Sequence, residues 1–234
     1  RLFNQGIILG EDNEKMSKSR GNVVNPDDYV QTLGADSVRA FLMFVGPWEE
    51  GGPWNSRGIE GVYRFLNRVW NLIVEPLPQT REKVDLKQAR RELRRIIHKT
   101  IKKVTEDMEA FHFNTMIAAL MQFNNYLVKA KQTTVSGTDT WNEALEALVL
   151  MLAPPCPHIA EELWQRMGKP YSVHLQRWPQ WNAELARDEI ITLIVQVNGR
   201  MRDKIEVPAN VSEEAVKEAA LATPGAKRHT TGKD

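Results

Sequence analysis

Two lysines set three positions apart, Lys15 and Lys18, sit in the polar segment Lys15-Met16-Ser17-Lys18-Ser19, which continues into Arg20-Gly21-Asn22. Two ammonium groups on one flexible loop can converge on a single anionic group. The Ser17 and Ser19 hydroxyls and the exposed amides add donors, and Gly21 lets the chain bend. Such a loop suits phosphate, above all the charge that develops as pyrophosphate departs. In a dry site a cation aimed at that charge contributes on the order of 3 kcal/mol in the transition state. Taken alone, a short Lys-Ser loop is more often plain polar surface, so its neighbours must decide.

A second concentration of charge lies in Lys87, Arg90, Arg91, Arg94, Arg95, Lys99, Lys102 and Lys103, with Glu92 the only acid among them. The whole chain carries 31 basic and 30 acidic residues, net +1, so this stretch is a local excess on a neutral protein. It points to a polyanion at one surface, held through phosphates and read by shape; a solvated helix face is the plainer alternative. Arg200, Arg202 and Lys204 alternate along a strand-like run and would make one sheet face basic, again with solubility as the bland reading. Cys156 is the single cysteine, so no intrachain disulfide is expected, and its setting of prolines beside apolar helices suits a buried thiol. Five scattered histidines show no ligand spacing, and no metal site is expected. No apolar run approaches the roughly 20 residues needed to cross a bilayer, and no secretory leader pattern is present.

The elements around these residues read as mainly helical. Gly6-Ile7-Ile8-Leu9 is a short strand, 15–25 a loop, and Pro26 opens a short helix that Gly34 stops. A second helix runs from about Asp36 through Phe44, and Gly46 to Pro53 is a loop. Ser56 is the expected cap of a helix with apolar positions Ile59, Val62, Tyr63, Leu66, Val69, Trp70 and Ile73, closed by Pro76 and Pro78. The basic stretch belongs to a long helix from about Leu86 to Ala110, with Leu93, Ile96, Ile97, Ile101, Val104 and Met108 inward. Asn114 is the expected cap of the next helix, Gly137 marks a turn, and further helices run from about Thr140 to Leu152 and from Pro157. Consecutive amphipathic helices with short connections predict an antiparallel bundle. Trp70, Trp141 and Trp164 fall at core spacing, while Trp48 and Trp54 are placed to brace the preceding segment against the bundle. Residues 168–188 read as a linker or wrapping segment with Trp178 and Trp181 exposed. The period then changes to two. Ile190 to Val197 and Arg200 to Val207, joined by Asn198-Gly199, predict a hairpin. Ser212 caps a helix through Leu221, and Thr223 to Asp234 reads as a frayed end. One hairpin and one helix make a thin core, so strands beyond Asp234 are expected, and the start at Arg1 within an apolar stretch reads as a cut piece of a longer chain.

The Lys15–Ser19 segment resembles, without substitution, the KMSKS signature of class I aminoacyl-tRNA synthetases. The run Lys15 to Asn25, then Pro26-Asp27 and Gly34-Ala35-Asp36-Ser37-Val38-Arg39, is similar to the leucine, isoleucine and valine branch. Gly58 to Trp70, Phe113 to Asn125 and Pro157-His158-Ile159-Ala160-Glu161-Glu162-Leu163-Trp164 resemble the helices of the leucyl enzymes. Val195 to Arg202 with Val207-Pro208 resembles the small C-terminal domain of the bacterial-type leucyl enzymes. Pro155-Cys156 departs from the family's usual Phe-Ala before Pro-His, read as a local packing change. The resemblance implies a mainly α fold: 1–45 the end of a catalytic core with the KMSKS loop, 46–167 an antiparallel anticodon-binding-type bundle, 168–188 a linker, and 189–234 a partial α/β domain. It further implies leucine–tRNA ligation with ATP and Mg2+, Lys18 on the ATP phosphates assisted by Lys15, and Met16, Ser17 and Ser19 beside them. Leucine tRNA would meet Arg90, Arg91, Arg94, Arg95, Lys99, Lys102, Lys103, Arg200, Arg202 and Lys204. The family's HIGH-type signature, leucine pocket and editing domain are not in this sequence, so the piece is expected to be inactive alone. A cytoplasmic, monomeric parent without membrane attachment is expected. The alternatives are an isoleucyl or valyl enzyme, against which the Asn198-Gly199 hairpin argues, and a non-catalytic RNA-binding helical module, against which the intact phosphate loop argues.

Overall fold

The computed structural model describes residues 2–187, 190–208 and 211–230. The chain divides into two compact units, Arg1–Ala186 and Arg187–Asp234.

The first unit opens with β1 (Ile7–Leu9), which pairs in parallel with β2 (Gly51–Pro53), Ile7 opposite Gly51 and Leu9 opposite Pro53. The end of the expected 46–53 loop is therefore a strand. Gly51 makes the pairing possible, since a Cβ there would come within 2.3 Å of the Ile7 carbonyl. Between the strands lie α1 (Pro26–Leu33) and α2 (Ala35–Phe44). Pro26 takes the first helical turn behind the Asn25 cap, whose side chain accepts the Asp27 N–H, and Asp27 and Asp28 lie at the positive helix end.

The bundle follows as α3 (Ser56–Val74), α4 (Leu86–Glu109), α5 (Phe113–Ala130), α6 (Asp139–Leu152) and α7 (Pro157–Arg166). Short connections fold these helices back and forth, and α5 packs against α2, α3, α4 and α6. The α3 stripe buries Ile59, Val62, Phe65, Leu66, Val69 and Leu72, while Tyr63, expected inside, stays exposed. One apolar core runs from Val38 and Trp54 through these helices to Trp164 and Val173.

Two caps differ from expectation. Asn55, not Ser56, closes α3: its Oδ1 accepts the Arg57 and Gly58 N–H groups at 3.0 and 2.9 Å. Ser56 is occupied elsewhere, its Oγ 2.7 Å from Tyr29 Oη and accepting Trp54 Nε1–H at 3.3 Å. Asn114 is inside α5. There Thr115 donates to buried Asp107, whose carboxylate also accepts Lys103, and the turn between the helices puts Phe111 at φ 61°.

The connection between α3 and α4 is tied down. Glu82 exchanges backbone hydrogen bonds with Gln132 and Thr134, and Arg81 donates to Ser136. Beside it, buried Lys131 donates to the Asn71, Leu72 and Glu75 carbonyls at 3.1, 3.0 and 2.9 Å. These carbonyls lie in and just past the last turn of α3; Asn71 also accepts the Glu75 N–H, so a lysine from the end of α5 adds a donor to this helix terminus. Residues 168–186 wrap rather than merely link. Val173 is buried, Trp178 is half-buried and donates to Thr105 Oγ1 at 2.8 Å, and the Asn182 N–H reaches His98 Nδ1. The expectation of an exposed Trp178 is corrected by that bond to α4; Trp181 is the outer of the two.

The second unit is β3 (Ile190–Val197) paired antiparallel with β4 (Arg200–Pro208), then α8 (Glu213–Ala222) and α9 (Pro224–Thr230). Asn198 and Gly199 both take positive φ, 54° and 73°, as the tight hairpin turn requires. Ser212 caps α8 by accepting the Ala215 N–H. The expected frayed end is instead a helix as far as Thr230; residues 231–234 lie outside the described residues. Asp203 holds this helix by accepting the Gly225 N–H at 3.0 Å, and Ala226 is buried. Gly225 lies so close to β4 that a Cβ would meet the Arg202 carbonyl at 2.3 Å.

Candidate phosphate loop and nucleic-acid interface

The phosphate-loop candidate grows from the end of β1. Leu9 and Lys15 form an antiparallel bridge across a turn in which Asn13 takes φ 63°. Lys18–Arg20 is a single 3-10 turn capped by Ser17, whose Oγ accepts the Arg20 N–H at 3.3 Å and lies 2.9 Å from Ser19 Oγ. Gly21, at φ 68°, lets the chain leave the turn. Met16 packs onto the core and anchors the loop, while Lys15 and Lys18 project from it exposed. Among the described residues neither ammonium has a carboxylate partner within 4.0 Å. Arg20 is paired with Glu14 at 2.9 Å, a solvent-exposed bond of small energetic weight.

Polar side chains that sequence reasoning did not single out brace the loop. Asn22 Oδ1 accepts the Ser17 N–H at 2.9 Å, and its Nδ2 donates to Asp12 Oδ2 at 2.9 Å. Asp12 also accepts the Glu14 N–H. The Glu14 amide, then Asn22, hold the Asp12 carboxyl below its usual range. Glu11 reaches the start of α3, accepting the Ser56 N–H at 2.9 Å, and bonding from Ser56 lowers its carboxyl too. The available signal was an Asp and an Asn flanking a turn, residues that readily bond nearby backbone, but nothing local pairs Asp12 with Asn22.

The tryptophans flanking this region are packing residues. Trp54 stacks edge-on against Phe41 at 5.0 Å, and Trp48 meets Phe113 at 5.3 Å, so both join the leading segment to the bundle. Trp141 and Trp164 are buried; Trp70 is half-buried under the Arg166 guanidinium. Cys156 is buried, and burial pushes its thiol up, away from the reactive thiolate. Asp36, buried at the start of α2, joins α2 to α7: it lies 2.9 Å from His158 Nδ1 and accepts the Ile159 N–H at 2.7 Å. Among the described residues no group of three or more His, Cys, Asp or Glu side chains could hold a metal ion, and no helix is long and apolar enough to cross a membrane.

The basic residues of α4 do not form one free face. Arg90 donates to Thr140 and Arg94 lies 3.9 Å from Glu143, both on α6. Arg95 pairs with Glu92, and Arg91 and Lys99 also have partners. Lys102 is 3.8 Å from Glu106 and 5.1 Å above the Trp181 ring. Lys103 pairs with Asp107 at 2.7 Å. Glu92 is the only acid among these cations in sequence, yet several are paired, because Glu106 and Asp107 lie one turn on and Glu143 arrives from α6. Lys99 and Lys103 share the rim of a groove of about 420 Å³ between α4 and α5, floored by Ile96, Phe123 and Tyr126.

The β4 cations are also separated. The pairing of Val195 with Asp203 and of Gln196 with Met201 leaves Arg202 as an extra residue in a bulge. Lys204 stands opposite Ile194 and Arg200 opposite Val197, so the bulge reverses the alternation and puts the two on opposite sheet faces. The single basic sheet face expected from the sequence is therefore not formed. Arg202 is half-buried, and among the described residues its Nε has no hydrogen-bond partner.

A family model for the anticodon-binding domain of tRNA ligase matches residues 90–217, and one for class I tRNA synthetases (I, L, M and V) matches residues 1–50. The chain is 53% identical over 234 residues to a leucine–tRNA ligase of Dehalococcoides mccartyi, covering 100% of this chain and 28% of that protein. It is 54% identical over 222 residues to one from Herpetosiphon aurantiacus, covering 95% of this chain and 27% of the relative. The ternary complex of an Agrobacterium radiobacter LeuRS with tRNA and LeuAMS superposes with a TM-score of 0.78 at 34% identity, over 100% of this chain and 30% of that one. A Mycobacterium tuberculosis methionyl-tRNA synthetase bound by methionyl-adenylate shares the fold alone, with a TM-score of 0.54 at 20% identity over 73% of this chain and 39% of that one. The Lys15–Ser19 loop leading into a helical bundle of this kind, with both family matches, marks a stretch of a class I tRNA ligase. Within that class, the chain belongs to the leucine–tRNA ligase family. It spans 28% of the length of the Dehalococcoides relative.

Proposed function

We propose that this chain is the C-terminal part of a leucine–tRNA ligase, which joins the leucine carboxylate to the α-phosphate of ATP with release of pyrophosphate, and then passes the leucyl group to the 3′ end of its tRNA with release of AMP. The observation that carries the reading is the intact Lys15–Ser19 loop within a chain 53% identical over its full length to a leucine–tRNA ligase. In this reading 1–45 closes the catalytic core, 46–167 is the tRNA-facing bundle, 168–188 leads out of it, and 189–234 begins a C-terminal domain. Lys15 and Lys18 neutralise the ATP phosphates as pyrophosphate forms, with Met16 seating the loop and Ser17 and Ser19 shaping it. Mg2+ supplies further neutralisation of the phosphates when bound. Arg90, Arg91, Arg94, Arg95, Lys99, Lys102 and Lys103 on α4, and Arg200, Arg202 and Lys204 on β4, are the proposed phosphate contacts for leucine tRNA. The parent enzyme is proposed to be monomeric and cytoplasmic, and this piece inactive without the remainder of the core.

Binding of the chain to leucine tRNA and to an unrelated tRNA, titrated with salt, tests the tRNA half of the proposal. Preference for the leucine tRNA with steep salt dependence supports it. Equal, salt-sensitive binding returns tRNA choice to other parts of the enzyme, and no binding at low salt removes the RNA role from these residues. Leucine-dependent pyrophosphate exchange by this piece alone would overturn its predicted inactivity.

A further inference from the structure

We propose that Asn22 and Asp12 are positioning residues for the phosphate loop: their side chains form a clasp that fixes where Lys15 and Lys18 stand, and Glu11 registers the clasp against the start of α3. The inference rests on the reading of Lys15–Ser19 as an ATP-phosphate loop.

Asn22 spends its amide on the loop. Its Oδ1 accepts the Ser17 N–H at 2.9 Å, and its Nδ2 donates to both Asp12 oxygens at 2.9 and 3.2 Å and faces the Lys15 carbonyl at 3.4 Å. The backbone groups on either side of Met16 are thereby tied to one side chain. Asp12 is held in turn by the Glu14 N–H at 3.1 Å. Gly10 leaves the space the clasp needs, since a Cβ there would come within 2.6 Å of Asp12 Oδ1 and 3.1 Å of Asn22 Nδ2. Asn22 is half-buried between exposed Gly21 and Val23. A polar residue serving only solubility has no reason to be turned inward there. One residue before Asp12, Glu11 binds the first amide of α3, and Ser56 Oγ is hydrogen-bonded to Tyr29 and Trp54. The clasp is thus anchored to the helix that opens the bundle. A charge-stabilising loop works only if its cations are placed before the charge develops, so a defect in the clasp acts on ATP rather than on leucine.

The test uses Asn22→Ala, Asn22→Asp, and the double exchange Asp12→Asn with Asn22→Asp, with circular dichroism to check that each variant folds. In this chain, amide exchange at Ser17 should accelerate in Asn22→Ala. In the longer ligase, leucine-dependent ATP–pyrophosphate exchange should lose on the order of 10²-fold in kcat/KM for ATP, with KM for leucine unchanged. Asn22→Asp should be impaired by carboxylate facing carboxylate, and the double exchange should recover part of the loss by restoring a donor opposite an acceptor. Unchanged Ser17 exchange overturns the clasp. Faster Ser17 exchange with unchanged ATP kinetics overturns its positioning role. Lys18→Ala separates the two layers. If Lys18→Ala is impaired while the Asn22 variants are not, the positioning proposal alone falls. If Lys18→Ala is itself silent, the phosphate-loop reading falls and takes this inference with it.

Discussion

Lys131 carries a larger structural role than its charge suggests. Its ammonium is buried and donates to the backbone carbonyls of Asn71, Leu72 and Glu75 at the end of α3. Desolvation lowers its pKa, opposed by the nearby Glu75 charge. Replacing it by Met keeps the packing stem and removes the donor those carbonyls share, although Asn71 keeps the Glu75 N–H. We expect Lys131→Met to lower unfolding stability by about 2–3 kcal/mol, read as a shifted urea midpoint. Cys156 offers a complementary test. Buried and held as the thiol, it should be inert to a thiol reagent in the native chain and react at the rate of opening; fast native labelling would contradict its burial. Sequence legibility at this scale divided by range. The Lys15–Ser19 pattern is contiguous and could be read directly. Lys131 and the Asp12–Asn22 pair take their meaning from partners 10 to 60 residues away in the chain, and no local pattern announces them.

Among the elements, the helices were legible because their apolar periodicity is strong, and their ends were less so. Asn55 and Ser56 are both good capping residues. Tertiary bonds from Ser56 to Tyr29 and Trp54 decide between them. The β4 bulge was invisible because alternation on one strand says nothing about an extra residue opposite its partner. The junction of α2 and α7 yields a prediction: Asp36→Ala leaves the Ile159 N–H and His158 without their acceptor and should cost about 1–3 kcal/mol. In the second unit, Asp203 holds α9 through the Gly225 N–H, and that bond, then the Lys204 N–H, depresses its folded pKa below the ordinary 3.8. A depressed carboxylate contributes stability that is complete above its unfolded pKa and is lost as pH falls through the folded one. The packing of α9 should therefore weaken below about pH 4, and Asp203→Asn should flatten that acid limb in amide-exchange measurements on 224–230.

At the scale of the whole chain, the two units have unequal cores. Among the described residues, the first gathers α1 to α7 around one cluster, while the second buries Val195, Val207 and Ala226. A chain ending at Ala186 should keep a cooperative thermal transition, whereas 187–234 alone should show only marginal structure. The distribution of charge around α4 has a consequence that can be counted. Arg90 and Arg94 face α6, Lys102 lies against Trp181, and Lys99 and Lys103 rim the α5 groove, so a single polyanionic strand meeting one sector leaves the others behind. Each phosphate neutralised expels condensed counterions, and the slope of log affinity against log salt records how many. Two lysines of one sector account for a slope of only about −1.4 to −1.8. A steeper slope would mean that the bound RNA bends around the helix or draws cations from elsewhere on the molecule.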